Sequence, residues 1–233
     1  TEYVYGEVKS FTTPTKNLVE MPFSVSPTKK VYFSSGNLQY HPLKNQWRFA
    51  KYQYDYIGSD NKYIAPDYDG WIDLFGWGTG DNPTLSSTVP GDYKEFVDWG
   101  VNSIQNDSLT TWRTLTSDEW DYLCNKRPNA KWLCKHVYVE GKLGLMLLPD
   151  GTDIHPGANS RMNKYYLLNL ERSGRVFLPA AGRRNGKAYQ EAGGLYWTSS
   201  GGGNYGYRYC FSSDGKERSL KNMDKCNGYS VRL

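Results

Sequence analysis

Turn-forming residues interrupt this chain so often that its strands and helices must be short. Residues 23–40 predict two strands separated by Pro27, and residues 47–58 predict another short strand. Asn, Asp, Gly and Pro dominate residues 58–92, which predicts a long ordered loop held together by its own aromatic side chains. The pattern therefore favours a fold of short strands joined by turns and ordered loops.

One helix start has a clear signature. Thr116 and Glu119 stand at the spacing of a capping box, in which the threonine hydroxyl accepts from the Glu119 N–H and the carboxylate reaches back. This start places Trp120 and Leu123 on one face of a short helix that ends before Pro128. We expect Trp120 to be buried against a sheet.

Two further helices are predicted, one at residues 92–104 from apolar spacing with early acidic residues, and a weaker one at residues 163–173. The other strand-like runs are 143–151, 176–186, 194–200, 204–215 and 227–233. The expected fold class is therefore α+β, with short antiparallel strands, two or three helices and long ordered loops.

The N-terminal residues are predicted to be distinct from the main domain. Residues 1–14 alternate like a strand and end at Pro14. They resemble the last strand of a fibronectin type III or immunoglobulin-like domain lying upstream, and an N-terminal arm on the main domain explains them equally well. Residues 15–22 are expected to be a linker and residues 23–233 one domain. The chain begins in strand-like sequence, so the lack of a signal peptide in it is uninformative.

Composition and charge narrow the function classes. Hydrophobic residues make up 38% and charged residues 22%, which is typical of a globular protein. The net charge of +4 is small, and Lys and Arg are scattered among Asp and Glu, so no nucleic-acid partner is expected. No apolar run approaches the ~18–20 residues of a membrane-spanning helix, so no transmembrane segment is expected.

The cysteines leave the redox compartment open. Cys124, Cys134, Cys210 and Cys226 form no C-x-x-C pair, and no histidine stands at zinc-finger spacing, so no structural zinc is expected. Four cysteines allow three disulfide connectivities, and buried free thiols are equally compatible. Cys210 and Cys226 are expected on neighbouring segments, where they form either a disulfide or two free thiols.

Three motifs resemble one known superfamily. TLTSDEWDYL at 114–123 resembles the helix motif of formylglycine-generating-enzyme-like (sulfatase-modifying-factor-like) domains. GLYWTSS at 194–200 resembles their tryptophan strand, and NGYSVRL at 227–233 resembles their closing strand. The order and spacing of the motifs agree with the family over residues 21–233. The resemblance implies the C-type-lectin-like fold that these domains have.

A closer resemblance is to secreted or lipid-anchored surface proteins of gut Bacteroidetes, through VYFSSGNLQY at 31–40, GWIDLFGWGTG at 70–80 and WRTLTSDEW at 112–120. The chain also resembles the C-terminal lectin-like domain of variable proteins from diversity-generating retroelements. These resemblances imply an extracellular or cell-surface location, with an outer-membrane lipid anchor. They also imply a ligand-binding or adhesin-like function at one C-terminal surface.

No enzyme activity, catalytic residue or cofactor is expected. Formylglycine-generating enzymes use a close cysteine pair to bind copper, whereas YRYC at 207–210 holds Cys210 alone and the next cysteine is Cys226. The histidines lie outside the motifs of hydrolases and metalloproteases: His41, His136 and His155.

No metal site is expected either. Asp150 and Asp153 flank a turn, which turn chemistry explains, with calcium binding as the alternative. The loop that calcium-dependent sugar-binding lectins use is missing.

The candidate binding surface lies near the C-terminus. Alternation along residues 204–211 puts Tyr205 and three further aromatic side chains on one face, which is expected to be core. Asn204 and Arg208 are then expected to face outward, beside the polar residues 221–227. The expected ligand is a protein or a glycan. The candidate ligand-binding residues are Asn204, Tyr205, Arg208, Lys221, Asn222, Asp224, Lys225 and Asn227.

Two alternatives stay open. In the first, the surface near the C-terminus is an ordinary hydrophilic surface that binds nothing. In the other, the chain is a structural component of a cell-surface assembly and has no ligand of its own. Variation among close relatives would separate these from ligand binding, because a binding face should vary while Trp197 and Arg232 stay fixed.

Overall fold

The computed structural model describes residues 18–105, 111–152, 161–162, 172, 174–214 and 217–233. The predicted strand at 1–14 lies outside the described residues, as does the predicted helix at 163–173 apart from Arg172. The strands are β1 (Phe23–Ser24), β2 (Lys30–Val31), β3 (Leu38–His41), β4 (Gln46–Phe49), β5 (Cys134–Val139), β6 (Lys142–Leu147), β7 (Arg161–Met162), β8 (Val176–Pro179), β9 (Arg183–Asn185), β10 (Ala188–Gln190), β11 (Gly194–Gly202), β12 (Tyr205–Phe211), β13 (Arg218–Asp224) and β14 (Asn227–Gly228).

These strands form small sheets. One sheet has the order β7-β5-β6-β8, a second β11-β12-β13 and a third β10-β9-β14, while β3 pairs with β4 and β1 with β2. The pairing of β5 with β7 is parallel, and the other pairs of these strands are antiparallel. Short antiparallel sheets with few helical segments make this an α+β fold, which confirms the predicted class.

The predicted capping box begins helix α1 (Ser117–Asp121). The Glu119 N–H donates to Oγ1 of Thr116 at 3.2 Å, and the Thr116 N–H donates to Oε2 of Glu119 at 3.0 Å. A π-helical turn (Tyr122–Lys126) extends α1, and a second helix, α2 (Ala130–Leu133), follows at once. No helix within the described residues is long and apolar enough to cross a membrane.

The helix predicted at residues 92–104 is wrong. One 3₁₀ turn, Pro90–Asp92, ends where that helix was predicted to begin, and a second, Trp99–Val101, lies within the predicted range. Asp98 explains the difference, because its carboxylate accepts from the Gly100 N–H at 3.0 Å and from the Thr114 N–H at 2.9 Å. A side chain that binds backbone groups in this way competes with helix formation.

Residues 18–22 belong to the folded body and not to a linker. Leu18 forms a bridge with Ser34, and the Val19 N–H donates to the Phe33 carbonyl at 2.8 Å. Val19 is buried in the same apolar cluster as Trp120. The boundary predicted at residue 23 is therefore too late, because the short apolar pair at 18–19 is already part of the core.

Two large apolar clusters lie on opposite sides of the β11-β12-β13 sheet. The first contains Trp77, Trp197 and Tyr229, and the second contains Trp120 and Tyr209. Trp120 is fully buried, as predicted, and its ring stacks on Tyr209 with the centroids 5.3 Å apart. The sheet is thus held between α1 on one side and the loop that carries Trp77 on the other.

Buried hydrogen bonds order the long loop that follows β4. Oδ1 of Asn61 accepts from the N–H groups of Asp73 and Leu74, both at 3.0 Å, and its amide donates to Oδ1 of Asp73 at 2.8 Å. Burial raises the pKa of Asp73 to about 6, although the hydrogen bonds that its carboxylate accepts from the Asn61 amide and the Ile57 N–H favour its ionised form. This network fixes the loop that leads to Trp77.

Candidate ligand-binding surface

The aromatic face of β12 is core along half of its length only. Tyr209 and Phe211 are buried, as predicted, but Tyr205 and Tyr207 are 51% and 43% exposed. The reason is the shortness of α1 (Ser117–Asp121), which covers the end of the sheet that contains Tyr209. The prediction that the whole aromatic face packs in the core is therefore wrong for Tyr205 and Tyr207.

The opposite face of β12 does not look outward as predicted. A Cβ atom at Gly206 would lie 2.4 Å from Cδ1 of Trp77, so this glycine permits the indole to lie directly against the strand. Arg208 is half-buried, with its guanidinium carbon 4.9 Å from the centroid of the Tyr229 ring, and Cys210 is buried. Trp77 and Tyr229 thus cover the face that was expected to meet solvent.

Two residues of the adjoining segment belong to the scaffold. Lys225 is only 5% exposed, and its Nζ donates to the Lys94 carbonyl at 3.0 Å and lies 4.4 Å from the Trp77 ring centroid. Asn227 is 6% exposed and donates to the Asp224 carbonyl at 3.1 Å. Both were predicted to bind ligand, but neither has a side chain free to do so.

The remaining predicted residues are accessible. Asn204, Lys221 and Asn222 are exposed together with Tyr205, and Asp224 is half-buried. Lys221 pairs in register with Arg208, which puts it on the Trp77 side of the sheet, where its ammonium forms an ion pair with Glu217.

One face gathers most of the accessible candidates. Tyr207 is opposite Asn222 and Tyr205 is opposite Asp224, so these four side chains share one face of the sheet. Gly203 and Asn204 form the adjacent hairpin turn, where Gly203 has φ 54°, and Gly201 and Gly202 lie beside them at the end of β11. We call this surface the tyrosine tip: residues 201–204, Tyr205, Tyr207, Asn222 and Asp224. Tyr207 was not among the predicted site residues.

A cleft lies on the other side of the tip. It has a volume of about 310 Å³, and Trp77 and Tyr93 line it together with acidic and amide side chains. Its rim includes Asp81, Asp92 and Glu95. Within the part of the chain that the structure describes, no three His, Cys, Asp or Glu side chains are grouped so that they could hold a metal ion.

The structure does not bring Cys210 and Cys226 together. Cys210 is opposite Ser219, whereas Cys226 lies two residues beyond Asp224, which is opposite Tyr205. The length of β12 therefore separates them by roughly 16 Å at ~3.3 Å per residue, and a disulfide needs Cα atoms within about 7 Å. The bridge weighed as one alternative is absent, and both thiols are free and buried.

Cys124 and Cys134 form a contact that the cysteine spacing did not indicate. Their thiols hydrogen-bond to each other, and Nη2 of Arg127 lies 3.8 Å from Sγ of Cys134. The hydrogen bond from Cys124 lowers the pKa of Cys134 although burial opposes it, and burial raises the pKa of Cys124. Both are free and lie in the core around Trp120.

Asp150 and His41, two of the other candidate groups, have structural partners. Asp150 accepts from the Ser24 N–H at 3.0 Å and forms an ion pair with buried Arg127 at 3.0 Å. Nε2 of buried His41 lies 3.4 Å from Oδ1 of Asp69, and burial lowers the pKa of His136. His155 and Asp153 lie outside the described residues.

Comparison of the chain with protein-family models, curated proteins and solved structures gives no match.

Proposed function

We propose that this chain is a ligand-binding module with a C-type-lectin-like fold that recognises a protein or a glycan through the tyrosine tip. The observation that carries the proposal is the pair of exposed rings of Tyr205 and Tyr207 on one face of β12. Tyrosine side chains offer a large, rigid contact area that ends in a hydroxyl group, which is the chemistry of adaptable recognition surfaces.

The surroundings of the two rings support this function. Asn222 and Asp224 place an amide and a carboxylate beside the rings, so the surface can donate and accept hydrogen bonds. The glycines at 201–203 are exposed and carry no side chains, which leaves the edge of the rings open to a large ligand. A few aromatic residues within a polar surface are the usual composition of a binding hot spot.

The arrangement of the three family-like motifs supports the lectin-like fold within the proposal. The Ser199 N–H donates to the Leu115 carbonyl at 2.9 Å, which joins the tryptophan strand to the start of α1. The Trp197 N–H donates to the Ser230 carbonyl at 3.0 Å, which joins the same strand to the closing segment. All three motifs therefore meet at one strand, directly beneath the tip.

The proposal also includes a cellular location and assigns the chain no catalytic activity. An extracellular or cell-surface position, reached through a lipid anchor upstream, would expose the tip to ligands in the surroundings. Binding without catalysis is proposed because the tip presents the contact groups of a recognition surface, and the candidate carboxylate Asp150 is engaged in an ion pair with buried Arg127.

Replacement of both tip rings tests the function. We expect the double variant Tyr205→Ala/Tyr207→Ala to lose binding to glycan arrays and intact cells by about tenfold or more, because hot-spot residues carry most of the binding free energy. Its melting temperature should stay within about 2 °C of the unaltered protein, because substitution of exposed side chains has little effect on stability.

A second pair of exposed aromatics provides the matched control. Trp132 and Tyr138 are 47% and 41% exposed and lie on α2 and β5, away from the tip. The variant Trp132→Ala/Tyr138→Ala should keep full binding. Equal binding by the unaltered protein and the tip variant would exclude the tip as the binding surface, and loss of binding by the control pair alone would move the function to α2 and β5.

A further inference from the structure

A second cleft lies beside the β3–β4 hairpin, and none of its lining residues belongs to the tyrosine tip. It has a volume of about 480 Å³, which is within the range of ligand pockets, roughly 300–1,000 Å³. Buried Trp47 is one of the residues that line it. The other lining residues are Asn45, Gln46, Arg48, Trp71, Ser103 and Gln105.

Arg48 is held in a fixed orientation in this cleft. Its Nε donates to Oε1 of Gln39 at 2.8 Å, and its guanidinium carbon lies 3.6 Å from the centroid of the Trp71 ring. Stacking on an indole and a hydrogen bond at Nε fix the plane of the guanidinium group, which leaves the two terminal nitrogens as a fork for a carboxylate.

The charge of Arg48 is not matched by a bound carboxylate. Within the described part of the chain, neither terminal nitrogen of Arg48 has a hydrogen-bond acceptor, and no lining residue of the cleft is acidic. Asp55 acts on Arg48 from a distance and is itself 3.8 Å from the ammonium of Lys142. An anionic ligand would therefore meet a cation that no carboxylate of the cleft lining pairs with.

The rim supplies the groups that bind hydroxyls. Asn45, Gln46 and Gln105 present amides, Ser103 presents a hydroxyl, and all four residues are exposed. Asn45 and Gln105 have left-handed φ angles of 47° and 50°; the angle of Asn45 belongs to the turn between β3 and β4. The Gln105 N–H donates to the Trp47 carbonyl at 3.2 Å, which holds Gln105 against β4.

We propose that this cleft binds the carboxylate-bearing ring of an acidic saccharide. Arg48 receives the carboxylate through its two terminal nitrogens, and the amides and the serine hydroxyl of the rim bind the sugar hydroxyls. A neutral sugar would accept hydrogen bonds from the guanidinium group without pairing its charge, and an apolar ligand would leave the polar rim unsatisfied. The proposal is independent of the tyrosine tip, because it concerns different residues and a different surface.

Calorimetric titration with matched acidic and neutral sugars tests the proposal. The probes are a hyaluronan tetrasaccharide, which contains glucuronate, and tetra-N-acetylchitotetraose, a neutral tetrasaccharide. A second pair, 3′-sialyllactose and lactose, distinguishes the source of the carboxylate. We expect one acidic probe to bind at least tenfold more tightly than its neutral partner. Failure of both acidic probes to bind, or equal binding within both pairs, would overturn the proposal.

Arginine variants assign the binding to the cleft. Arg48→Gln should weaken binding of the acidic probe by about tenfold or more, to the level of the neutral partner. Arg183→Gln is the matched control, because Arg183 also donates its Nε to a glutamine, Gln190, at 2.8 Å but lies outside the cleft. Unchanged binding by Arg48→Gln, or an equal loss in Arg183→Gln, would remove Arg48 from the site.

A rim variant keeps the test decisive if Arg48→Gln alters the fold. Gln46 and Gln105 are exposed, so Gln46→Ala/Gln105→Ala should leave the melting temperature unchanged and weaken the acidic probe several-fold. Full binding by this variant would contradict the proposal. The tip variant Tyr205→Ala/Tyr207→Ala should bind the acidic probe as the unaltered protein does, so the two surfaces can fail separately.

Discussion

Trp120 connects helix α1 to the central sheet through its ring. The indole stacks on Tyr209 and also contacts Phe33 and Tyr196, at centroid distances of 6.1 and 6.2 Å. Its Nε1–H has no acceptor within the described residues, so the side chain acts there as an apolar surface. The stability that it contributes should come from packing and apolar burial alone.

Truncation of this ring should destabilise the protein strongly. We expect Trp120→Ala to lower the free energy of unfolding by about 3–5 kcal/mol and the melting temperature by roughly 6–20 °C. Trp120→Phe should cost less, because it keeps most of the packing and removes a buried N–H without a partner. Trp132→Ala, at a tryptophan that is 47% exposed, is the control. Thermal melts measure all three, and equal melting temperatures for the variants at positions 120 and 132 would contradict the packing of α1.

At the scale of one element, the start of α1 is held by a cluster of charges around Glu119. Arg113 donates to both carboxylate oxygens of Glu119, at 2.6 and 2.7 Å, and Lys29 donates at 2.8 Å. Burial alone would raise the pKa of Glu119, but the hydrogen bonds from Arg113, Lys29 and the Thr116 N–H outweigh it and lower the pKa to about 2. The capping box is thus tied to the neighbouring segments.

The stability of the protein should therefore fall in acid. The folded-state pKa of Glu119 lies below its ordinary value of 4.5. Its contribution to the free energy of unfolding is therefore fully present above pH ~4.5 and is lost as the pH falls towards 2. Glu119→Gln should cost about 1–3 kcal/mol at pH 7 and less at pH 2.5. Chemical denaturation at both pH values measures this difference. Asp118→Asn, at the exposed neighbouring residue, should show no such change, and a pH-independent cost of Glu119→Gln would refute the assignment.

At the scale of the whole molecule, all four thiols lie inside the fold. Their exposed fractions are 0% for Cys124, 3% for Cys134, 7% for Cys210 and 3% for Cys226. A buried thiol reacts with a reagent only when the structure opens around it. We expect iodoacetamide to modify the native protein slowly and to modify all four cysteines once denaturant is added. Mass spectrometry of the intact protein and its peptides measures both states, and a linked Cys210–Cys226 peptide would contradict the strand register.

Much of the fold was predicted from signals that depend only on residues close together in the sequence. The capping box of Thr116 and Glu119 and the strand that contains Tyr205 and Tyr207 were predicted in place. Alternation shows which side chains share a face, but it does not show what covers that face. Trp77 lies more than a hundred residues before Gly206 in the chain, so its contact with β12 has no local signal. The same reason explains why the burial of Lys225 and the exposure of Tyr207 were not predicted.

The packing of Trp77 against Gly206 and Gly201 bears on how the proposed binding specificity could change. Residues without side chains make the supporting contact, whereas the side chains of Tyr205 and Tyr207 point away from it. Substitutions at the two tyrosines and at Asn222 therefore leave this packing of Trp77 intact, while any side chain added at Gly206 would displace the indole. Under the proposed function, recognition and architecture would lie at alternate positions of one strand, so new binding preferences could accumulate by point mutation while the underlying fold is maintained.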